Sequence, residues 1–207
     1  MRGVRPPALA ALAGVLALLS LLSGCAALLA PHEPAEIRKE VLDKLPSPVP
    51  QRPSRGALLL VLPPQSSPIY DTAEMAYRVR PHEIAFFAQH EWAETPAQML
   101  QPLLVKTLQA TGFFSAVLSP PYAGGYRYAL RTQIRELVAD FTSEPAAVQL
   151  SLRVELSDRT AARVAVKEIA VREPMQAKTP YAGVVAANEA ASKALLELAR
   201  FVLDKAQ

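Results

Sequence analysis

The chain has 207 residues, 22 basic and 19 acidic side chains, a formal charge of +3 and 51% apolar residues. That length suits one domain with a sizeable core, and a single cysteine excludes both an internal disulfide framework and a thiolate metal cluster. So small an excess of charge gives no argument for nucleic acid as a partner.

The first element is a leader. "MRGVRPP" supplies two arginines and no acid, and "ALAALAGVLALLSLL" follows as an apolar run of about fifteen residues, the order of an export signal. A bilayer span needs about 20 apolar residues, and no stop-transfer flank follows this run. It closes on Leu22-Ser23-Gly24-Cys25, which resembles the bacterial lipobox. That resemblance implies diacylglycerylation of the Cys25 sulfur, removal of residues 1–24 and acylation of the new N-terminus. Several acyl chains make a stable anchor where one is marginal. Arg2 and Arg5 would leave with the leader, so the mature chain is close to neutral. Ala26 stands where an aspartate would resemble the signal for inner-membrane retention, so the expected location is the outer membrane, facing the periplasm.

Residues 25–56 read as a proline-rich tether. Proline lacks the amide donor and fixes φ, so "LPSPVPQRPSRG" reads as an extended stretch. Within the tether, "PAEIRKEVLDKL" places Ile37, Val41 and Leu45 four apart, which predicts a short helix.

The folded body is expected over 57–207. "ALLLVLPP" reads as a buried strand stopped by Pro63-Pro64. "MAYRVR" and "EIAFFAQ" alternate around a turn at Pro81-His82, a hairpin pattern. In "ETPAQMLQPLLVKTLQATG", Thr95 is a good N-cap, Pro96 suits the first helical position, Gln98 completes a capping box and Gly112 supplies the stop. "FFSAVLS" returns as a strand. The stretches "YRYALRTQIRELVADF", "AVQLSLRVELSD" and "ARVAVKEIAVRE" predict an antiparallel meander, the last with its phase broken at Lys167-Glu168, the mark of a bulge. A second amphipathic helix opens at Thr179-Pro180. The expected fold is α+β: a two-layer, mainly antiparallel sheet covered by two amphipathic helices.

Catalytic patterns are missing from the sequence. His82-Glu83 and His90-Glu91 do not make a zincin motif, and there is no phosphate loop, dinucleotide fingerprint or nucleophile elbow. The acids are scattered with no pair fixed at catalytic spacing. The expectation is a non-enzyme with no cofactor beyond the lipid on Cys25. The aromatic residues bracketing the first helix are the other candidates. Phe86 and Phe87 are adjacent, so in an extended strand they face opposite ways and one of them is free for a partner or lipid. Trp92 and Phe114 join them as candidate contacts, although such residues more often pin helix to sheet.

The span containing Tyr77-Arg78, Phe86-Phe87, Trp92 with Pro96, and Gly112-Phe113-Phe114 resembles the auxiliary lipoproteins of ABC-type transport systems, the group that includes the lipoprotein of the paraquat-inducible system. The resemblance is sharpest over about 45 residues, and the long proline-rich stretch before Ala57 departs from it. It implies work beside an MCE-type periplasmic protein and an ABC permease with its ATPase, moving phospholipid or another hydrophobic molecule. It also implies a possible homo-oligomeric ring. The alternative is a direct carrier of amphiphiles or an envelope assembly lipoprotein, with lipid held in a cavity near Trp92.

Overall fold

The structure, a computed structural model, describes residues 36–206. Leu22, Ser23, Gly24 and Cys25 lie outside the described residues. In chain order the elements are β1 (Arg38–Glu40), β2 (Leu58–Val61), β3 (Gln65–Ser66), a 3-10 turn at Pro68–Tyr70, β4 (Glu74–Arg78), β5 (Ala85–Trp92), α1 (Pro96–Ala110), β6 (Ala116–Leu118), β7 (Tyr128–Asp140), β8 (Ala147–Asp158), β9 (Arg163–Pro174) and α2 (Pro180–Lys205).

The sheet is organised around β7. Along one edge β7 pairs with β8 in a long antiparallel ladder, and β8 pairs in turn with β9. Its other edge takes three short strands end to end, all parallel: β2 opposite Tyr128–Leu130, β3 opposite 133–134, and β4 opposite 139–140. Those strands are short because Pro63, Pro64 and Pro68 interrupt the run, and proline cannot donate to a ladder. Beyond them, β6 lies parallel to β2, β5 antiparallel to β4, and β1 parallel to β5. The α+β class holds, but the sheet is a curled mixed one rather than mainly antiparallel. Hairpin neighbours announce themselves by alternation and turns, whereas these parallel pairings join segments far apart in the chain through backbone groups alone.

α1 forms as its ends dictate. The Thr95 side chain accepts from the Gln98 amide and the Gln98 side chain reaches back to Thr95, while Gly112 takes φ +67° just past the last turn. This helix touches β2, β3, β6 and β7; α2 touches β8 and β9, and the two helices touch each other. The buried side of α2 is rich in alanine, with Ala186, Ala187, Ala190, Ala191 and Ala194 all within the core. Small side chains let the helix approach β8 and β9 closely without loss of helix propensity.

Two local expectations are overturned. The bulge expected at Lys167-Glu168 is absent, since β8 and β9 pair without a break from Ala147 to Asp158. Lys167 keeps its phase, and its ammonium meets Glu197 of α2 at 2.9 Å. The break lies between Ile134 and Glu136, where Arg135 is the extra residue of β7.

The helix expected over "PAEIRKEVLDKL" is the other. Arg38–Glu40 is a strand, Leu42 is buried, and Ile37, Val41 and Leu45 are exposed. The compact unit begins at Ile37, so residues 37–56 are part of the body rather than a free tether. Backbone amides explain why: Arg52 donates to the Thr111 carbonyl at 3.0 Å and Arg55 to that of Phe113 at 3.1 Å. A proline-rich segment that cannot bond to itself is satisfied by bonding to its neighbours.

Candidate functional site

The sequence candidates separate by burial. Trp92 is 4% exposed and Phe114 8%, so both pack in the main core with Phe113, whose ring stands edge-on to Phe114 at 5.0 Å. Neither presents a surface to a partner. Beside Trp92, among Met75, Leu137, Ala139 and Val148, lies a void of about 10 Å³. That is room for roughly one water and far too little for an acyl chain.

Phe86 and Phe87 point to opposite faces of β5, as their adjacency requires. Phe86 joins a small outer cluster with Tyr70, Ala76, Val138 and Ile84. Phe87 turns to the main core and stacks on Tyr77 at 4.5 Å, with Phe141 edge-on to both rings at 6.2–6.4 Å. His90 stands 6.5 Å from Phe87, and its Nδ1 lies 3.0 Å from Glu40 Oε1, tying this aromatic group to β1. All three rings of the group are half-buried.

A polar knot fixes the outer cluster. Arg78 donates to Asp140 at 3.1 Å and to Glu136 at 3.3 Å. Asp140 also accepts from the Thr142 amide at 2.9 Å, the Thr142 hydroxyl at 2.6 Å and Gln149 at 2.6 Å. Burial alone would raise the Asp140 pKa, but the Thr142 bonds and the Arg78 guanidinium together hold it below the ordinary carboxylate value. The Tyr70 hydroxyl is pushed up by burial first and by Glu136 second, with Arg78 opposing. An ionised carboxylate with four donors and a neutral phenol is a structural arrangement, with neither group poised to exchange a proton near neutral pH.

Among the described residues no three His, Cys, Asp or Glu side chains come together as metal ligands. None of the described helices is long and apolar enough to cross a membrane.

The feature that sequence reasoning missed is the strap formed by residues 41–44. Asn188 of α2 accepts the amides of Asp43 at 2.9 Å and Lys44 at 3.1 Å, and donates to the Val41 carbonyl at 2.9 Å. Lys44 pairs with Glu189 beside it. Farther along, the Arg52 guanidinium donates to the Leu203 carbonyl at 2.6 Å near the end of α2. An asparagine inside an alanine-rich helix was the available signal, because it is a poor helix former unless its amide is used.

The family model ABC-type transport auxiliary lipoprotein component matches residues 41–200. No curated protein matches the sequence. Among solved structures, a Xanthomonas campestris protein of the DUF330 family superposes with a TM-score of 0.71 at 23% identity, covering 83% of this chain and 96% of that one. A second crystal structure, of an uncharacterized protein, gives a TM-score of 0.62 at 17% identity, covering 80% and 99%. Both are likenesses of fold.

Proposed function

Because this chain belongs to the family of ABC-type transport auxiliary lipoprotein components, we propose that it is a non-catalytic docking element of a transport system that moves phospholipid or another hydrophobic molecule. The family match over residues 41–200 carries this reading. On it, triacylated Cys25 anchors the chain in the outer membrane, the body faces the periplasm and meets an MCE-type protein, and ATP is hydrolysed by the permease's ATPase. A homo-oligomeric ring is the proposed working form. Direct carriage of lipid is the weaker reading, since the void next to Trp92 is too small to hold it.

The experiment compares wild type with Cys25→Ser. Wild type is expected to incorporate radiolabelled palmitate, to float with outer-membrane fractions and to capture an MCE-type protein; the variant is expected to lose label and flotation. Continued labelling and flotation of the variant would refute the anchor. A lipidated protein that captures no MCE-type component would refute the assigned partner and leave the anchor standing.

A further inference from the structure

One end of the body is apolar where the chain leaves it. Ile37 and Val41 are each 47% exposed, and on α2 Tyr181 is 62% and Val185 43% exposed. Tyr181 and Val185 lie one helical turn apart on the same face. Three residues beyond Val185, Asn188 holds the Val41 carbonyl, so the two exposed pairs belong to one end of the molecule. Beside Tyr181 and Val185 opens a cleft of about 550 Å³ whose wall includes Pro174 and Ala177. The Tyr77, Phe87 and Phe141 rings adjoin the same end through His90, which pairs in register with Arg38. The opposite end of α2, about 39 Å away at a rise of about 1.5 Å per residue, also exposes Val164 and Val166 of β9. There, however, Val164 stands among Asp158, Arg163 and Lys205, far from the point where the chain enters the body.

We propose that this apolar end, with Ile37 and Tyr181 at its surface, is seated on the phospholipid bilayer that holds the lipid anchor. The proposal rests on the reading that Cys25 carries lipid. Cys25 lies twelve residues before Ile37, and a chain of that length reaches at most about 42 Å when fully extended. The chain enters the body at Ile37, so of the ends that expose apolar side chains this is the one the anchor tethers directly. Tyrosine, with an apolar ring and a polar tip, suits the headgroup boundary, and the aliphatic residues suit the layer beneath. Charge supplies little of the attraction: the lysines around this end are paired, Lys39 with Glu91, Lys44 with Glu189 and Lys178 with Glu144, and the exposed Arg38 beside Ile37 is offset in formal charge by the exposed Glu36. The surface it fits is accordingly a zwitterionic phospholipid, and contact needs no anionic lipid.

The test uses the full lipidated chain in phosphatidylcholine vesicles. With Cys25 blocked as a thioether, a maleimide fluorophore labels only an introduced cysteine, so Ile37→Cys, Tyr181→Cys and, at the far end, Val164→Cys each report one place. Shallow doxyl-labelled lipid is expected to quench most of the emission at 37 and 181 and to leave 164 unchanged. Equal quenching at all three positions, or quenching at 164 alone, would overturn the assignment. So would labels at 37 and 181 that are blue-shifted yet unquenched, which would make this end an interface between protein copies. Uptake of maleimide by the wild-type chain would show a free Cys25, and the anchor reading would fall together with the proposal.

Discussion

Asn188→Ala tests whether the segment before β2 is structure or tether. The substitution removes three neutral hydrogen bonds to residues 41–44. Each contributes about 0.5–1.5 kcal/mol net, and partial exposure places them in the lower half of that range, so the strap loses about 1.5–3 kcal/mol. At 1.4 kcal/mol per factor of ten, its opening equilibrium rises about 10- to 100-fold. The helix responds with the opposite sign, because alanine is the better helix former by about 0.5 kcal/mol. Hydrogen exchange followed by mass spectrometry separates the two effects. Amides 38–44 should exchange faster, while those of α2 keep or gain protection. Unchanged protection over 38–44 would show that the strap is held without Asn188, by Leu42, β1 and the Lys44–Glu189 pair. A uniform loss across the body would show that Asn188 stabilises the fold as a whole. Either result refutes the reasoning.

Two other substitutions probe the core and the polar knot. Asp140→Asn should cost about 2–3 kcal/mol at neutral pH in a denaturant titration, since Arg78 then keeps only Glu136 as a charged partner. The Asp140 pKa is lowered in the folded state, so its stabilisation is present above the unfolded value of about 3.9 and fades as pH falls through the lower folded one. The gap between variant and wild type should close in strong acid, and an equally wide gap there would contradict the assignment. Trp92→Ala should lower stability by about 3–5 kcal/mol, and a loss under about 1 kcal/mol in the same titration would mean that Trp92 is no core residue.

How far the sequence reaches is clearest at particular elements. Thr95, Pro96, Gln98 and Gly112 state both ends of α1 through local chemistry, because capping groups lie within a turn of the amides they satisfy. Alternation along 147–156 states β8, and the turn at 81–82 joins β4 to β5, because those partners are near in the chain. Adjacency alone put Phe86 and Phe87 on opposite faces, but burial assigned each its neighbours.

Residues 37–45 show the reverse. Their spacing fits a helix, yet the pairing of Arg38 with His90 and the bonds to Asn188 draw them out straight. Likewise no side chain announces that β2, β3 and β4 share the edge of β7. Alternation, caps and proline breaks, being local, were readable from the order of residues alone. The parallel pairings, the strap and the apolar end belong to the tertiary structure, since they depend on backbone groups and surfaces brought together from 50 to 150 residues apart.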